Sequence, residues 1–190
     1  MYQDLINISL VRKKILTGPK KLKFCAALIS NNFSTDGFRF KFINELNKYK
    51  KVDMGGKAYN NIGRIIDKKM EREFFSEYKF SISMENSEGD GYVSEKIVNS
   101  FNSGTIPIYY GDYLVDEYIN PNSYILIKGE KDINEKLEYI KKIDNNDKLY
   151  ERIINEKVLL DKHIQKVIRK EYNDFIFHIF DQEKSKAFRK

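Results

Sequence analysis

The stretch YKFSISMENSEGDGYVSEKIVNSFNSGTIPIYYG, from Tyr78 to Gly111, constrains the fold of this chain more than any other part of its sequence. Its apolar run Tyr78–Met84 has the length of a buried strand, and a polar, glycine-rich loop separates it from a segment with helical spacing. Gly104 is placed to end that helix in a left-handed cap, and a second apolar run follows over 105–110. Two strands joined through a helix predict a parallel pair.

The same alternation of strands and helices continues on both sides of that stretch. Strands are predicted near 22–29, 78–84, 105–110 and 123–127, with a shorter strand that begins at Val52. A helix is predicted from Phe38 to Leu46, and another over 67–76 with Met70, Phe74 and Phe75 facing inward. We therefore predict an α/β fold, with a Rossmann-like, mostly parallel sheet and flanking helices.

The last third of the chain has a helical pattern from Gly129 almost to the end, and we interpret the aromatic run Phe175–Phe180 as part of a core helix. The length of 190 residues suits one domain of ordinary size. We expect residues 1–20 to be a lead-in segment and residues 21–190 to form a single domain with a helical tail.

Composition excludes several classes of protein. The net charge of +6 comes from 34 basic and 28 acidic residues that are interspersed, which argues against a nucleic-acid partner. The single cysteine, Cys25, rules out a disulfide framework, and its apolar neighbours predict a buried, inert thiol. No signal peptide or membrane-spanning segment is visible, so we expect a cytoplasmic protein, and any contact with a membrane would be peripheral, through a surface or a partner.

The loop Glu85–Gly91 is the candidate ligand site, because ligands of parallel sheets bind beyond the carboxyl ends of the strands. After it, Ser94 can cap the helix, which leaves Glu95 and Lys96 in the first turn, where free N–H groups favour an anion. Glu95 can accept hydrogen bonds from sugar hydroxyls, and Tyr92 offers a ring for stacking. Taken one by one, these residues are better explained as the exposed start of a capped helix.

Taken together, the segments ENS, GYVSEKI and GTIPIYYG resemble, in order and spacing, the signature of the α1,3-fucosyltransferases, glycosyltransferase family 10. The upstream segments KFCAALISNN and FRFKFINELNKYKKVDMGG extend the resemblance over residues 21–127. Met84 and Ser94 stand where the family usually has Phe and Thr, and both differences are mild.

The resemblance implies the carboxyl-terminal, donor-binding half of a GT-B glycosyltransferase that transfers fucose from GDP-fucose to a glycan acceptor, with inversion. The acceptor class that it implies is N-acetyllactosamine. By the same resemblance Tyr92, Glu95 and Lys96 bind the donor, Asn86 lies near its phosphates, and Arg39 neutralises the diphosphate. An arginine and a lysine that converge there could replace a metal ion, and no Asp-x-Asp pair stands at a strand end.

The resemblance also implies that the general base belongs to an amino-terminal acceptor domain, a possible separate partner of this chain. Glu85, at a strand end, is a candidate base, although we favour a structural or donor-side role for it. His163 and His178 are interpreted as surface or packing residues. The alternative function is a module that binds GDP or a GDP-sugar without turning it over.

Overall fold

The computed structural model describes residues 23–30, 37–86, 93–160 and 162–181, and within these ranges it does not describe the side chains of residues 113, 114, 162–165, 167 and 168. At its centre is a five-stranded sheet in the order β2-β1-β3-β4-β5. All neighbouring strands pair in parallel. The strands are β1 (Lys23–Ala27), β2 (Val52–Met54), β3 (Tyr78–Met84), β4 (Ile106–Tyr110) and β5 (Ile125–Leu126).

Helices cover both faces of this sheet. They are α1 (Phe38–Asn47), α2 (Glu71–Ser76), α3 (Glu95–Asn102), α4 (Ile133–Asp144), α5 (Asp147–Ile154) and α6 (Lys162–Phe180). Successive residues of a strand point to opposite faces. Cys25 and Ala27 accordingly pack in one cluster with apolar residues of α1, α4 and α5, whereas Ala26 packs in another with Phe74 and Phe75 of α2. The predicted fold class is confirmed.

The strand order creates a crevice at the carboxyl ends of β1 and β3. The chain leaves β1 towards β2 on one side, and after β2 it crosses back past β1 to reach β3. Connections from the two neighbouring strands therefore diverge, and in open α/β sheets ligands bind at such a topological switch point. The fold thus selects one place on the molecule at which to look for a site.

The predicted strand–helix–strand unit is confirmed. β3 and β4 are neighbours in parallel register, with Phe80 opposite Ile106 and Met84 opposite Tyr110. Gly104 ends the intervening helix at a φ of 68°, the left-handed conformation that its cap requires. The predicted burial of Cys25 is also confirmed, and that burial raises the pKa of its thiol, which disfavours the reactive thiolate.

Two expectations about apolar side chains are wrong. Met70 is exposed, because it lies in a short 3₁₀ turn, Lys68–Met70, and only Phe74 and Phe75 in the following helix face the sheet. The run Phe175–Phe180 lies in α6 but does not form core, and the side chain of Phe180 is 78% exposed. The buried clusters of the described residues end at Leu159, and none of the described side chains of α6 belongs to them.

None of the described helices combines the length and the apolar character needed to cross a membrane. The cytoplasmic location therefore stays a prediction. His178 lies exposed on α6, whereas the side chain of His163 is outside the description.

Candidate functional site

A small cavity of about 30 Å³ lies at the switch point between β1 and β3. Its apolar lining comes from the ends of the two strands and from α2, and three charged side chains complete it. The lining residues are Leu28, Ile29, Arg39, Glu71, Phe75, Ile82, Met84 and Lys96. Two of the predicted site residues, Arg39 and Lys96, thus meet in one cavity although 57 positions of the sequence separate them (96 − 39).

Arg39 enters the cavity from the first turn of α1. Its side chain is buried, and its Nη1 donates a hydrogen bond of 2.9 Å to the Oδ1 of Asn86, the second residue after β3. The contact joins the start of α1 to the end of β3. The amide oxygen of Asn86 carries no formal charge, so Asn86 orients the guanidinium but does not neutralise it.

Lys96 enters the cavity from α3 and is held by Glu85. The Nζ of Lys96 donates to Oε2 of Glu85 at 2.6 Å, and the Glu85 side chain has no exposed surface. Ser94 adds its backbone N–H at 2.8 Å and its hydroxyl at 2.7 Å to Oε1. A buried carboxylate is tolerated when it is paired and hydrogen-bonded in this way. Glu85 therefore fastens the start of α3 to the end of β3.

The start of α3 is itself capped as the sequence predicted. The Oγ of Ser94 accepts a hydrogen bond from the backbone N–H of Lys96 at 3.4 Å while its hydroxyl donates to Glu85. Tyr109 of β4 packs beneath, and burial, followed by the Glu85 carboxylate, raises the pKa of its phenol. The first turn of α3 is thus held in place by the buried side chain of Glu85.

This arrangement bears on the candidate base. A general base has to reach the hydroxyl that it deprotonates, directly or through one water molecule. Glu85 is fully buried, and both of its oxygens accept hydrogen bonds from Ser94 or Lys96. Its geometry is that of a residue that positions other groups, and it does not present a carboxylate to an acceptor.

The remaining predicted residues lie around the cavity or outside the description. Glu95 is the first residue of α3, and its half-exposed carboxylate lies 3.7 Å from the Nζ of Lys68. It does not line the cavity. Asn86 reaches the site through Arg39, and Tyr92 falls outside the described residues.

Sequence reasoning missed one charged residue of the cavity, Glu71. It is the first residue of α2, and its Oε1 accepts a hydrogen bond from the Nδ2 of Asn99 at 3.2 Å. Burial and the charge of Glu95 raise the pKa of Glu71, against the lowering effects of Asn99 and Lys68. In the sequence it stands within KKMEREFF, where it is indistinguishable from the exposed Glu73 two positions later.

Across 23–30, 37–86, 93–160 and 162–181, the side chains whose positions are described include no group of three or more His, Cys, Asp or Glu placed to hold a metal ion. The charged groups that the cavity does contain are two cations and one carboxylate. Cations near helix N-termini at a switch point are the arrangement that attracts phosphate groups. Fold and site together define a Rossmann-like domain with two cations at the carboxyl ends of its strands.

Comparison with known proteins identifies the family of the chain. The family described as glycosyltransferase family 10 (fucosyltransferase), C-terminal part, matches residues 18–175. The chain belongs to this family, and its members are glycosyltransferases. The prediction made from ENS, GYVSEKI and GTIPIYYG is thereby confirmed.

The relatives include enzymes from bacteria and mammals. An alpha-(1,3)-fucosyltransferase of Helicobacter pylori is 36% identical over 142 residues, which cover 72% of this chain and 29% of that protein. The human 4-galactosyl-N-acetylglucosaminide 3-alpha-L-fucosyltransferase 9 is 31% identical over 134 residues, which cover 70% of this chain and 36% of that protein. The chain thus spans only about a third of the length of these relatives.

Solved structures of fucosyltransferases match the fold of this chain. An α1,3-fucosyltransferase crystal structure superimposes with a TM-score of 0.70 at 31% identity, covering 80% of this chain and 42% of that one. A complex of α1,3-fucosyltransferase with GDP-fucose gives a TM-score of 0.72 at 28% identity, covering 89% of this chain and 52% of that one. The fold of the present chain corresponds to about half of such an enzyme.

Proposed function

We propose that the chain is the donor-binding half of a fucosyltransferase and that it binds GDP-fucose in the crevice at the carboxyl ends of β1 and β3. The observation that carries the proposal is the convergence of Arg39 and Lys96 on one cavity there. GDP-fucose is the molecule named in the complex of a structural relative with a TM-score of 0.72.

The diphosphate is assigned to the two cations. Lys96 lies in the first turn of α3, where the positive end of the helix dipole adds to the attraction for an anion. Arg39 lies in the first turn of α1 and is oriented by Asn86. A guanidinium and an ammonium that approach a diphosphate from two helices would hold it at several oxygens. Both groups are anchored without a ligand, which reduces the entropy lost on binding.

The nucleoside would lie beside the start of α3. Glu95 is half-exposed on the rim, where its carboxylate can accept hydrogen bonds from vicinal hydroxyls of a ribose. We assign Tyr92 to the same part of the donor on the resemblance of GYVSEKI to the family signature. Guanine and fucose specificity rest on the family relationship, and competition by UDP or ADP as strong as that by GDP would contradict them.

For catalysis, the departing GDP gains negative charge as its bond to fucose breaks. Arg39 and Lys96 would stabilise that charge electrostatically, so we propose that transfer needs no metal ion. On the resemblance to the family signature, we propose that transfer proceeds with inversion. Transfer by the assembled enzyme should then survive a chelator such as EDTA. A loss of activity that Mg²⁺ or Mn²⁺ restores would contradict this part of the proposal.

The acceptor and the general base are assigned to an amino-terminal domain. Glu85 is enclosed by Ser94 and Lys96, and the chain spans about a third of the length of the relatives that it matches. We propose that a glycan acceptor of the N-acetyllactosamine type binds to that partner domain. The second candidate, a module that binds GDP-sugar without transfer, is favoured by the same enclosure of Glu85.

A titration of GDP by calorimetry tests the donor site. Lys96→Ala should weaken GDP binding by about 1.5–3 kcal/mol, since it removes one charge-assisted contact. Lys148→Ala is the matched control, because Lys148 is an exposed lysine that does not line the cavity. Equal GDP affinity in the wild type and in Lys96→Ala would exclude Lys96 from the donor site.

Release of GDP from GDP-fucose, with and without N-acetyllactosamine, separates the two candidates. The isolated chain should bind GDP-fucose but transfer slowly or not at all, because we assign the base and the acceptor site to the amino-terminal domain. Addition of the amino-terminal domain of a relative should restore transfer. Robust acceptor-dependent turnover by the isolated chain would make Glu85 the first residue to replace.

A further inference from the structure

Glu71 brings a carboxylate into the same cavity as Arg39 and Lys96, and none of the donor contacts proposed above uses it. Its side chain is half-buried at the start of α2. Asn99 of α3 holds Oε1 by a hydrogen bond of 3.2 Å, so the carboxylate is positioned from a neighbouring helix. Among the described residues, the hydrogen bonds of this side chain are confined to Asn99, so Oε2 has no hydrogen-bond partner there.

A direct ion pair does not account for the place of Glu71 in the cavity. The ammonium of Lys96 already pairs with Glu85 at 2.6 Å, and no ion pair joins Glu71 to a described cation. An ionised carboxylate accepts hydrogen bonds and donates none. Beside a diphosphate it would repel the phosphate oxygens, whereas it would attract an O–H or N–H group. Its presence therefore indicates an uncharged donor group of the ligand next to the diphosphate.

The size and lining of the cavity agree with this assignment. A volume of about 30 Å³ accommodates one hydroxyl or amino group and excludes a ring. The surrounding wall is apolar, with Ile82 and Met84 from β3 and Phe75 from α2. In such surroundings a hydrogen bond to a carboxylate is stronger than in water, and an unpaired polar group is more costly.

We propose that Glu71 is a specificity-determining residue that accepts, at Oε2, a hydrogen bond from one O–H or N–H group of the nucleotide sugar adjacent to its diphosphate. The inference rests on the proposed function of the same cavity. In GDP-fucose such groups are the hydroxyls of ribose and fucose and the N–H edge of guanine. Asn99 acts as the positioning residue that keeps the carboxylate directed into the cavity.

Three probes bound to Glu71→Gln distinguish these sources: inorganic diphosphate, GDP and GDP-fucose. The glutamine keeps the shape and the hydrogen bond to Asn99 but removes the negative charge. Binding of GDP-fucose should weaken about 5-fold, as a charge-assisted hydrogen bond becomes a neutral one. Binding of inorganic diphosphate should stay equal or become tighter. A loss that already appears with GDP assigns the donor group to the nucleoside, and a loss with GDP-fucose alone assigns it to fucose.

Glu73→Gln is the matched control, because Glu73 lies on the same helix but is exposed and outside the cavity. It should leave all three affinities unchanged. The inference is overturned if Glu71→Gln binds all three probes as the wild type does, or binds all three more tightly. If the wild type binds none of the probes, the proposed function itself fails, and the two failures are thereby distinguished.

The pH dependence of wild-type binding supplies a second readout. Burial and the charge of Glu95 raise the pKa of Glu71, Asn99 and Lys68 lower it by less, and Arg39 and Lys96 line the same cavity. Affinity for GDP-fucose should therefore fall as the pH drops towards and below this raised pKa, which lies above the usual value of about 4.3. The fall should be smaller in Glu71→Gln, and parallel profiles for the two proteins would contradict the inference.

Discussion

Two buried carboxylates, Glu85 and Asp144, lie at opposite ends of the same parallel sheet, and both are paired with lysines. Asp144 ends α4 and receives Lys50, the Nζ of Lys79 at 3.0 Å and the hydroxyl of Tyr49 at 3.0 Å. Lys50 precedes β2 and Lys79 lies at the start of β3, so this cluster is at the amino ends of the strands. Glu85 receives Lys96 and Ser94 at the carboxyl ends.

The difference lies in what the partner lysines face. Lys79 is mostly buried and also donates to the backbone carbonyl of Asp144 at 2.8 Å, so its donors serve the junction of helix and sheet. Lys96 is held by Glu85 but also lines a cavity with Arg39. The comparison indicates that one kind of ion pair stabilises packing at the amino ends and positions a cavity-lining cation at the carboxyl ends.

The largest effect on stability is expected from Asp144→Asn. The amide removes the charge that Lys50 and Lys79 share, and loss of one partner of a buried pair costs about 3 kcal/mol of unfolding free energy. GDP affinity should not change, because the cluster lies at the opposite end of the sheet. Urea unfolding measures the stability and calorimetry measures the GDP affinity. A variant as stable as the wild type would show that this cluster does not stabilise the fold.

At the carboxyl end, Lys96→Met should weaken GDP binding about 10–150-fold and also destabilise the fold, because the buried charge of Glu85 loses its partner. Adding Glu85→Gln to Lys96→Met should recover much of the stability, since both charges are then gone. It should not recover GDP affinity. If the double variant binds GDP like the wild type, Lys96 acts only as a structural counter-ion.

Gly111→Ala tests the support beneath Glu85. A Cβ at this position would lie 2.7 Å from the Cγ of Glu85 and 2.7 Å from the hydroxyl of Tyr109, both closer than carbon contacts allow. We expect a loss of about 2 kcal/mol in stability, as for other overpacked sites, together with weaker GDP binding because Glu85 must move. If the variant is destabilised but its GDP affinity is unchanged, GDP binding does not depend on the position of Glu85.

The smallest effect is a pH dependence of the Asp144 cluster. Although burial raises the pKa of Asp144, hydrogen bonds from Lys50 and Lys79 lower it by more, so the net shift is downward. A carboxyl with a lowered pKa contributes stability above its unfolded value, about 3.9, and loses it as the pH falls through the folded value. The stability difference between wild type and Asp144→Asn should thus shrink below about pH 4. A difference that stays constant from pH 7 to pH 3 would contradict this.

Much of the fold could be predicted from local patterns. The strand Tyr78–Met84, the cap at Ser94 and the left-handed Gly104 each depend on neighbours within a few positions, and all three are observed. The aromatic run Phe175–Phe180 shows the limit of such reasoning. Its composition is that of a core helix, but burial depends on whether another element lies beside it, which the run itself does not specify.

The residues of the site also divide into those that the sequence could identify and those that it could not. Arg39 and Lys96 could be singled out because each stands in the first turn of a predicted helix and matches a family signature. Glu71 could not, because its neighbours in the sequence are exposed charges. Only the packing of α2 against α3, seen in the hydrogen bond from Asn99, brings that carboxylate into the cavity.

The sequence by itself determined the alternation of strands and helices, the family, and the cations in the first turns of two helices, because periodicity, caps and signatures are local properties. Only the tertiary structure decided the strand order β2-β1-β3-β4-β5, the enclosure of Glu85 by Ser94 and Lys96, and the meeting of Arg39 with Glu71. The physical reason is that these contacts join residues far apart in the chain. Their distances depend on how all the helices pack on the sheet, and the sequence of a single segment does not determine that packing.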